Sequence, residues 1–174
     1  MPTLEPANER VRAAAARRGV DIEIVRFDES THTAQQAAAA IGVELGQIVK
    51  SLVFMAPADL ADEAAGLEPI VALVSGTDRV DLARLATSVG RPRIRRATAD
   101  EARDATGFAI GGVPPFGYTR AITVVMDPGL DVYEEVWAAA GTANTVFAIA
   151  PATLVRLAAA LVAPCAEAGA VTDA

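Results

Sequence analysis

Two unbroken apolar runs, Leu52-Val53-Phe54-Met55 and Pro69-Ile70-Val71-Ala72-Leu73-Val74, constrain the fold of this chain more than any other feature. Both are far too short to span a membrane, and the second is closed by the turn-like Ser75-Gly76-Thr77-Asp78. Short apolar runs with such boundaries read as buried strands. Hydrophobic residues make up 52% of the chain and aromatics only 5%, so the core around these strands is expected to be aliphatic and alanine-rich.

The segments between the runs alternate helical and extended patterns. An alanine-rich helix is expected from Glu9 to Arg18, stopped by Gly19, followed by an alternating half-buried strand from Asp21 to Phe27. Thr33 is placed to cap a helix from Ala34 to Ile41 that ends at Gly42. Glu44 to Val49 reads as a turn or short helix, and Ala56 to Gly66 as a surface excursion. Leu82, Leu85 and Ala86 fall at helical spacing after Asp81, with Gly90 as the stop. Thr98-Ala99-Asp100-Glu101 is a capping box for a short helix to Ala105. Ile122 to Met126 reads as a strand ended by the turn Asp127-Pro128-Gly129. Val136 to Ala139 and Thr145 to Ile149 read as a strand pair, and Pro151 opens a final helix to Leu161. Strands and helices so interspersed predict a mixed α/β fold, expected as a single mixed sheet, central and mostly antiparallel, flanked by helices. A single domain over residues 1–174 is expected, with its core over about 20–165.

Charge and residue supply narrow the chemistry. A net charge of −7 argues against avid non-specific binding of nucleic acid, which needs a broad basic surface. Arg91, Arg93, Arg95 and Arg96, beside Arg79 and Arg84, form either a local basic edge or simply a solvated strand end. The single cysteine, Cys165, allows no internal disulfide and fits a reducing cytoplasm. It follows Pro164 near the C-terminus, where a structural thiol is the expected role. His32 is the only histidine, so a His-rich metal site cannot form and a Ser-His-Asp triad would depend on that residue alone. No secretory signal or membrane span is expected from the sequence.

Two segments stand out against this background. Lys50 is the only lysine among 15 basic residues, and it sits in the apolar stretch Gln47-Ile48-Val49-Lys50-Ser51-Leu52. A lysine is a compact charge whose pKa responds to burial, unlike the permanently charged arginine fork. It is either a site residue or a side chain whose stem packs while its head reaches water. A phosphate-binding loop is ruled out because Val49 occupies the position where glycine must precede Lys-Ser. The second segment, Gly111-Gly112-Val113-Pro114-Pro115-Phe116-Gly117, combines backbone freedom with backbone stiffness. Such a loop either aims main-chain N–H groups at a ligand oxygen or is a rigid turn.

Taken in order, these segments resemble the YbaK/ProX family, the aminoacyl-tRNA deacylases related to the editing domain inserted in bacterial prolyl-tRNA synthetases. The resemblance runs through Gln47 to Leu52, then Val80-Asp81, Thr106-Gly107-Phe108, and Gly111 to Gly117. It continues through Asp127, Gly141, and Phe147 leading to Pro151 and Leu154. What it implies is metal-free hydrolysis, without cofactor or covalent nucleophile, of the ester between a wrong amino acid and the 3′ end of tRNA. By resemblance Lys50 engages the tRNA 3′ end, and Gly111 and Gly112 hold the carbonyl through backbone amides. Water then attacks, assisted by the substrate 2′-hydroxyl. The expected substrate-binding residues are Phe27, His32, Ser51, Val53, Pro114, Ala139 and Gly141.

The chain departs from the family where specificity is set. Ala139 and Val146 replace the serine and aspartate of cysteine-editing members, and no alanine-editing histidine stands near Gly141. The expected substrate is therefore a small amino acid of undetermined identity, with tRNA-Pro as one candidate carrier. The expected partners are aminoacyl-tRNA and a delivering synthetase or elongation factor, with no membrane or DNA role. A non-catalytic module that binds a tRNA 3′ end or a synthetase stays open beside the deacylase. So does a small-molecule hydrolase reusing the same pocket.

Overall fold

The computed structural model describes residues 3–29, 31, 33–59 and 61–168. Helix α1 spans Pro6–Ala16, starting three residues earlier than expected, because Asn8 closes a capping box by accepting from the Glu5 N–H at 3.0 Å. Strand β1 is only Ile24–Arg26, shortened to the residues that find partners at Phe147, Val146 and Thr145. Helix α2 covers Ala34–Ile41 as the sequence predicts. The Thr33 hydroxyl accepts from Gln36 N–H at 3.1 Å, and Gly42 closes the helix in the left-handed region at φ 86°.

The two apolar runs extend into nine-residue strands, β2 (Val49–Pro57) and β3 (Leu67–Ser75), paired antiparallel along their whole length. Beyond them come α3 (Leu82–Val89), β4 (Arg95–Arg96), α4 (Ala99–Thr106), β5 (Thr123–Met126), β6 (Val136–Ala139), β7 (Thr145–Ile149), α5 (Pro151–Ala158) and β8 (Leu161–Val162). β4 and β8 carry no pattern of their own; they exist only as edge partners of β2 and β5. The last helix, expected to run to Leu161, stops at Ala158 because Ala159 turns left-handed at φ 48° and Leu161 pairs with Val125.

The mixed α/β expectation holds, with the strands divided between two sheets. One has the order β1-β7-β6 and is antiparallel; the other, β4-β2-β3-β5-β8, is mixed. They meet where Ile48 bridges Trp137, bringing β6 against the start of β2.

The unbroken apolar runs are explained by burial on both faces. Val53, Met55, Val71 and Leu73 join Val124, Met126, Phe108 and Phe147 in the larger core. Phe54, Ala56, Ile70, Ala72 and Val74 face α3 through Leu85 in the smaller one. Fully burying a Leu or Ile contributes roughly 1.5–3 kcal/mol, so central strands with apolar residues on both faces anchor the fold. Among the described residues no helix is long and apolar enough to cross a membrane.

Candidate active site

A cavity of about 260 Å³ opens where the two sheets meet. Its floor is the stretch Ile48 to Val53 at the start of β2. One wall is the face of the smaller sheet that carries Trp137, Ala139 and Val146, and Ala139 stands directly opposite Val146 in the β6–β7 register. The first turn of α2 and the residues before it, Thr31, Thr33, Ala34 and Ala37, close a second side. The remaining wall comes from Arg96, Ala97, Ala102, Ile110, Gly111 and Val113.

The floor is an interrupted strand edge. Gly76 N–H donates to Ile48 O at 2.7 Å, which sets the phase of the β2–β3 ladder. In an antiparallel ladder both main-chain groups of a residue point to the same side, alternating along the strand. Lys50, Leu52 and Phe54 therefore turn their main-chain groups toward β3, while Ser51 and Val53 turn theirs away. Ala97 N–H meets Val53 O at 3.0 Å, as this phase requires. The chain then leaves for α4, and β4 pairs only with Phe54 and Met55.

Lys50 lies on the strand face shared with Leu52 and Phe54, opposite to Val49 and Val53, and its ammonium donates to the carbonyl of Asp78. Burial holds its pKa below the usual lysine value; nearby Asp78 opposes this, and Arg79 and Arg96 add to the lowering by repulsion. Lys50, Arg79 and Arg96 thus concentrate positive charge beside the cavity of an otherwise acidic protein. Arg96 also stacks over the Phe54 ring, 5.7 Å from its centroid. Other arginines of the expected basic edge are paired with carboxylates: Arg84 with Asp81, Arg91 with Glu68, and Arg95 with Glu101.

The two glycines of the loop differ in role. Gly111 lines the cavity with φ 94°, a left-handed conformation that favours glycine, and its N–H meets no partner among the described residues. Gly112 N–H is already spent on Ala109 O at 3.0 Å, so it is not a free donor. The physical requirement at Gly112 is close packing: a Cβ there would meet Thr142 Cα at 2.7 Å and Gly141 O at 2.8 Å. Gly141 repeats the device, since its Cβ would fall 2.8 Å from Ala7 O on α1. A stack of α1, the β6–β7 turn and the glycine loop thereby holds Gly111 in the wall. Asn8 secures the stack, donating to Ala140 O at 2.8 Å and to Thr145 Oγ1 at 2.9 Å from a fully buried position.

Of the residues expected from sequence, Lys50, Ser51, Val53, Gly111 and Ala139 come together around the cavity. Phe27, Gly112, Pro114 and Gly141 stand behind its wall: Phe27 N–H donates to Asn144 O at 2.8 Å, and Pro114 O accepts from the Tyr118 hydroxyl at 2.8 Å. His32 lies outside the described residues. Sequence reasoning missed Trp137, Ile110 and Thr31, and named Arg96 only as part of a basic edge. The lone tryptophan was the one signal visible in the sequence; the exposure of Ile110 (53%) appears only in the structure. Buried Ser51 Oγ and Trp137 Nε1 both lack a hydrogen-bond partner among the described residues. Such an orphan costs roughly 1–3 kcal/mol, which is tolerated most readily at a binding site. Cys165 is fully buried, and burial together with Asp127 and Asp78 pushes its thiol up to about 12, the behaviour of a structural cysteine.

Comparison with known proteins agrees with this geometry. A solved structure described as a candidate trans-editing enzyme for prolyl-tRNA synthetase superposes with a TM-score of 0.83 at 43% identity, covering 95% of this chain and 99% of its own. The uncharacterized protein YwhH of Bacillus subtilis is 30% identical over 132 residues, 76% of this chain and 78% of that protein. The multifunctional Ser/Thr-tRNA deacylase ProXp-y of Escherichia coli is 26% identical over 152 residues, 87% of each chain. The model of the aminoacyl-tRNA editing domain matches residues 28–157, which take in the whole cavity wall, and the chain belongs to that family.

Proposed function

We propose that this protein is a trans-editing aminoacyl-tRNA deacylase that hydrolyses the ester of mischarged tRNA. The observation that supports the reading is the cavity itself, whose lining includes the lone lysine, Gly111 of the glycine loop and the small apolar side chains of Val53, Ala139 and Val146. An ester needs no more than this. It is already activated relative to an amide, so positioning and electrostatic stabilisation of the developing oxyanion suffice.

In this reading Lys50 is a positioning charge for the phosphate and ribose at the tRNA 3′ end, with Arg79 and Arg96 adding to the local field. Its ammonium donates to Asp78 O, a contact that supports a fixed position for the charge. Gly111 N–H donates to the ester oxygen as negative charge develops there. Water adds to the carbonyl carbon with help from the substrate 2′-hydroxyl, the bond to the ribose 3′-oxygen breaks, and that oxygen takes a proton. Ala139, Val146 and Val53 leave room for a small side chain; one methylene changes selection by only ~1–3 kcal/mol, so substitutions at these positions are expected to shift the preferred amino acid.

Local positive charge on a protein of net charge −7 supports recognition of a short terminal segment of tRNA over broad docking. Delivery by a synthetase fits this; tight binding of naked tRNA at moderate salt would count against it. The decisive assay is a panel of mischarged tRNAs, including Ala-, Ser-, Thr- and Cys-tRNA-Pro. At least one is expected to be deacylated well above background, with a single-turnover rate that falls about 10²-fold or more in Lys50→Ala. Binding without release from every substrate would instead identify a non-catalytic module.

A further inference from the structure

We propose that the free main-chain edge of β2 at Ser51 reads the substrate as one residue of an antiparallel strand. The Ser51 carbonyl accepts from the α-ammonium, and the Ser51 N–H donates to the ester carbonyl. This deepens the deacylase reading and rests on it for the identity of the ligand as an α-aminoacyl group.

Three observations lead here. First, the ladder phase points both main-chain groups of Ser51 away from β3 and toward the gap left by β4. On one side of that gap Ala97 N–H takes Val53 O, and on the other the bridge between Ile48 and Trp137 covers the strand start. Among the described residues no strand pairing reaches Ser51 on that side, so its N–H and C=O face the cavity floor, and its hydroxyl is buried there without a partner among the described residues.

Second, the described cavity wall contains no aspartate or glutamate, while Lys50 and Arg96 both line it. An α-ammonium entering such a site is repelled by the side-chain charges and needs a neutral oxygen to accept its protons. A main-chain carbonyl on an unpaired edge supplies one.

Third, an aminoacyl group has the same arrangement as a strand residue, a nitrogen donor and a carbonyl acceptor on one α-carbon. A residue opposite Ser51 exchanges both bonds with it at a Cα separation of about 5.5 Å. Its side chain then falls on the same sheet face as that of Ser51, beside Val49 and Val53. This is strand addition reduced to a single residue. As water adds, the charge appears on the oxygen already bonded to Ser51 N–H, making Ser51 and Gly111 a pair of oxyanion donors. An L-aminoacyl group places its side chain in the apolar pocket; the D form places hydrogen there.

The test uses selective 15N-serine labelling of the full chain, which contains four serines. The probe is 3′-deoxy-3′-(L-alanylamino)adenosine, a non-hydrolysable analogue, compared with its N-acetylated form. The Ser51 amide is expected to shift and to exchange more slowly on binding, and N-acetylation is expected to weaken binding at least tenfold. Ser51→Pro deletes the edge N–H while sparing the bonds that Lys50 and Leu52 make to β3, a placement that edge strands tolerate. It is expected to slow single-turnover deacylation roughly 10²–10³-fold, at least tenfold more than Ser51→Ala, with the melting temperature confirming the fold. An unmoved Ser51 amide in the complex, no binding at millimolar analogue, or a folded Ser51→Pro protein as fast as Ser51→Ala overturns the proposal. A Ser51 amide that responds while no mischarged tRNA is hydrolysed overturns the deacylase reading and leaves the edge as an aminoacyl-binding site.

Discussion

Lys50 combines a charge with burial that disfavours it, and the sign of that conflict has consequences. Its pKa is lowered by desolvation, so it loses its proton at a lower pH than the ordinary 10.5. Binding that depends on the ammonium fades as pH rises through the lowered value. For stability the sign is opposite. The charged form costs the fold below the lowered pKa, and that cost is relieved as pH climbs toward 10.5. Affinity for an acceptor-end oligonucleotide is therefore expected to weaken on the alkaline side earlier than a free lysine would dictate. Lys50→Arg, charged throughout, is expected to remove that alkaline limb even if its larger fork lowers affinity overall. Unchanged wild-type affinity up to the ordinary lysine range would refute the assignment.

Among elements, α4 connects the basic edge to the glycine loop, and its first turn is the most heavily determined piece of local structure. Thr98 Oγ1 accepts from Glu101 N–H at 3.2 Å, Glu101 accepts from Thr98 N–H at 2.9 Å, and Arg95 grips the same carboxylate at 2.8 Å. Hydrogen bonding from Arg95, then from Thr98, holds the Glu101 pKa down at about 2, against an ordinary value of 4.5. A lowered carboxylate pKa contributes stability above 4.5 that is lost as pH falls toward 2. The melting-temperature difference between wild type and Glu101→Gln is expected to be largest above that range and to close by about pH 2. Thr98→Ala is expected to cost about 1 kcal/mol, or roughly 2–4 °C, at any pH in the neutral range. The capping box was legible in sequence because its donors and acceptors lie three residues apart. The partnership with Arg95 was not, because it depends on β4, a two-residue strand that forms only where β2 offers an edge.

At the scale of the whole molecule, Asp127 fastens the C-terminal segment to the larger sheet. Its buried carboxylate accepts from Cys165 N–H and Ala166 N–H, both at 2.9 Å, and from Gly129 N–H at 2.8 Å. Asp127→Asn turns an amide group toward at least one of these donors, an orphaning worth ~1–3 kcal/mol. A lower denaturation midpoint is expected without direct loss of cavity residues. A variant as stable as wild type would show that the segment is held by the packing of Cys165 and Ala163 instead.

The sequence by itself determined the two central strands, the glycine-terminated helices and the family, because burial on both faces, capping and turn chemistry are written in adjacent residues. It also singled out Lys50 and the glycine loop, since residue scarcity and backbone freedom are visible without a fold. Only the tertiary structure decided how the chemistry is shared out. Gly112 and Gly141 turned from ligand contacts into packing contacts because the backbone of one approaches the other, and that approach involves residues 29 positions apart. Trp137 and Arg96 entered the cavity wall through strand pairings that have no local signature. The open edge at Ser51 is likewise a property of where neighbouring strands stop, and no pattern within the strand itself specifies that.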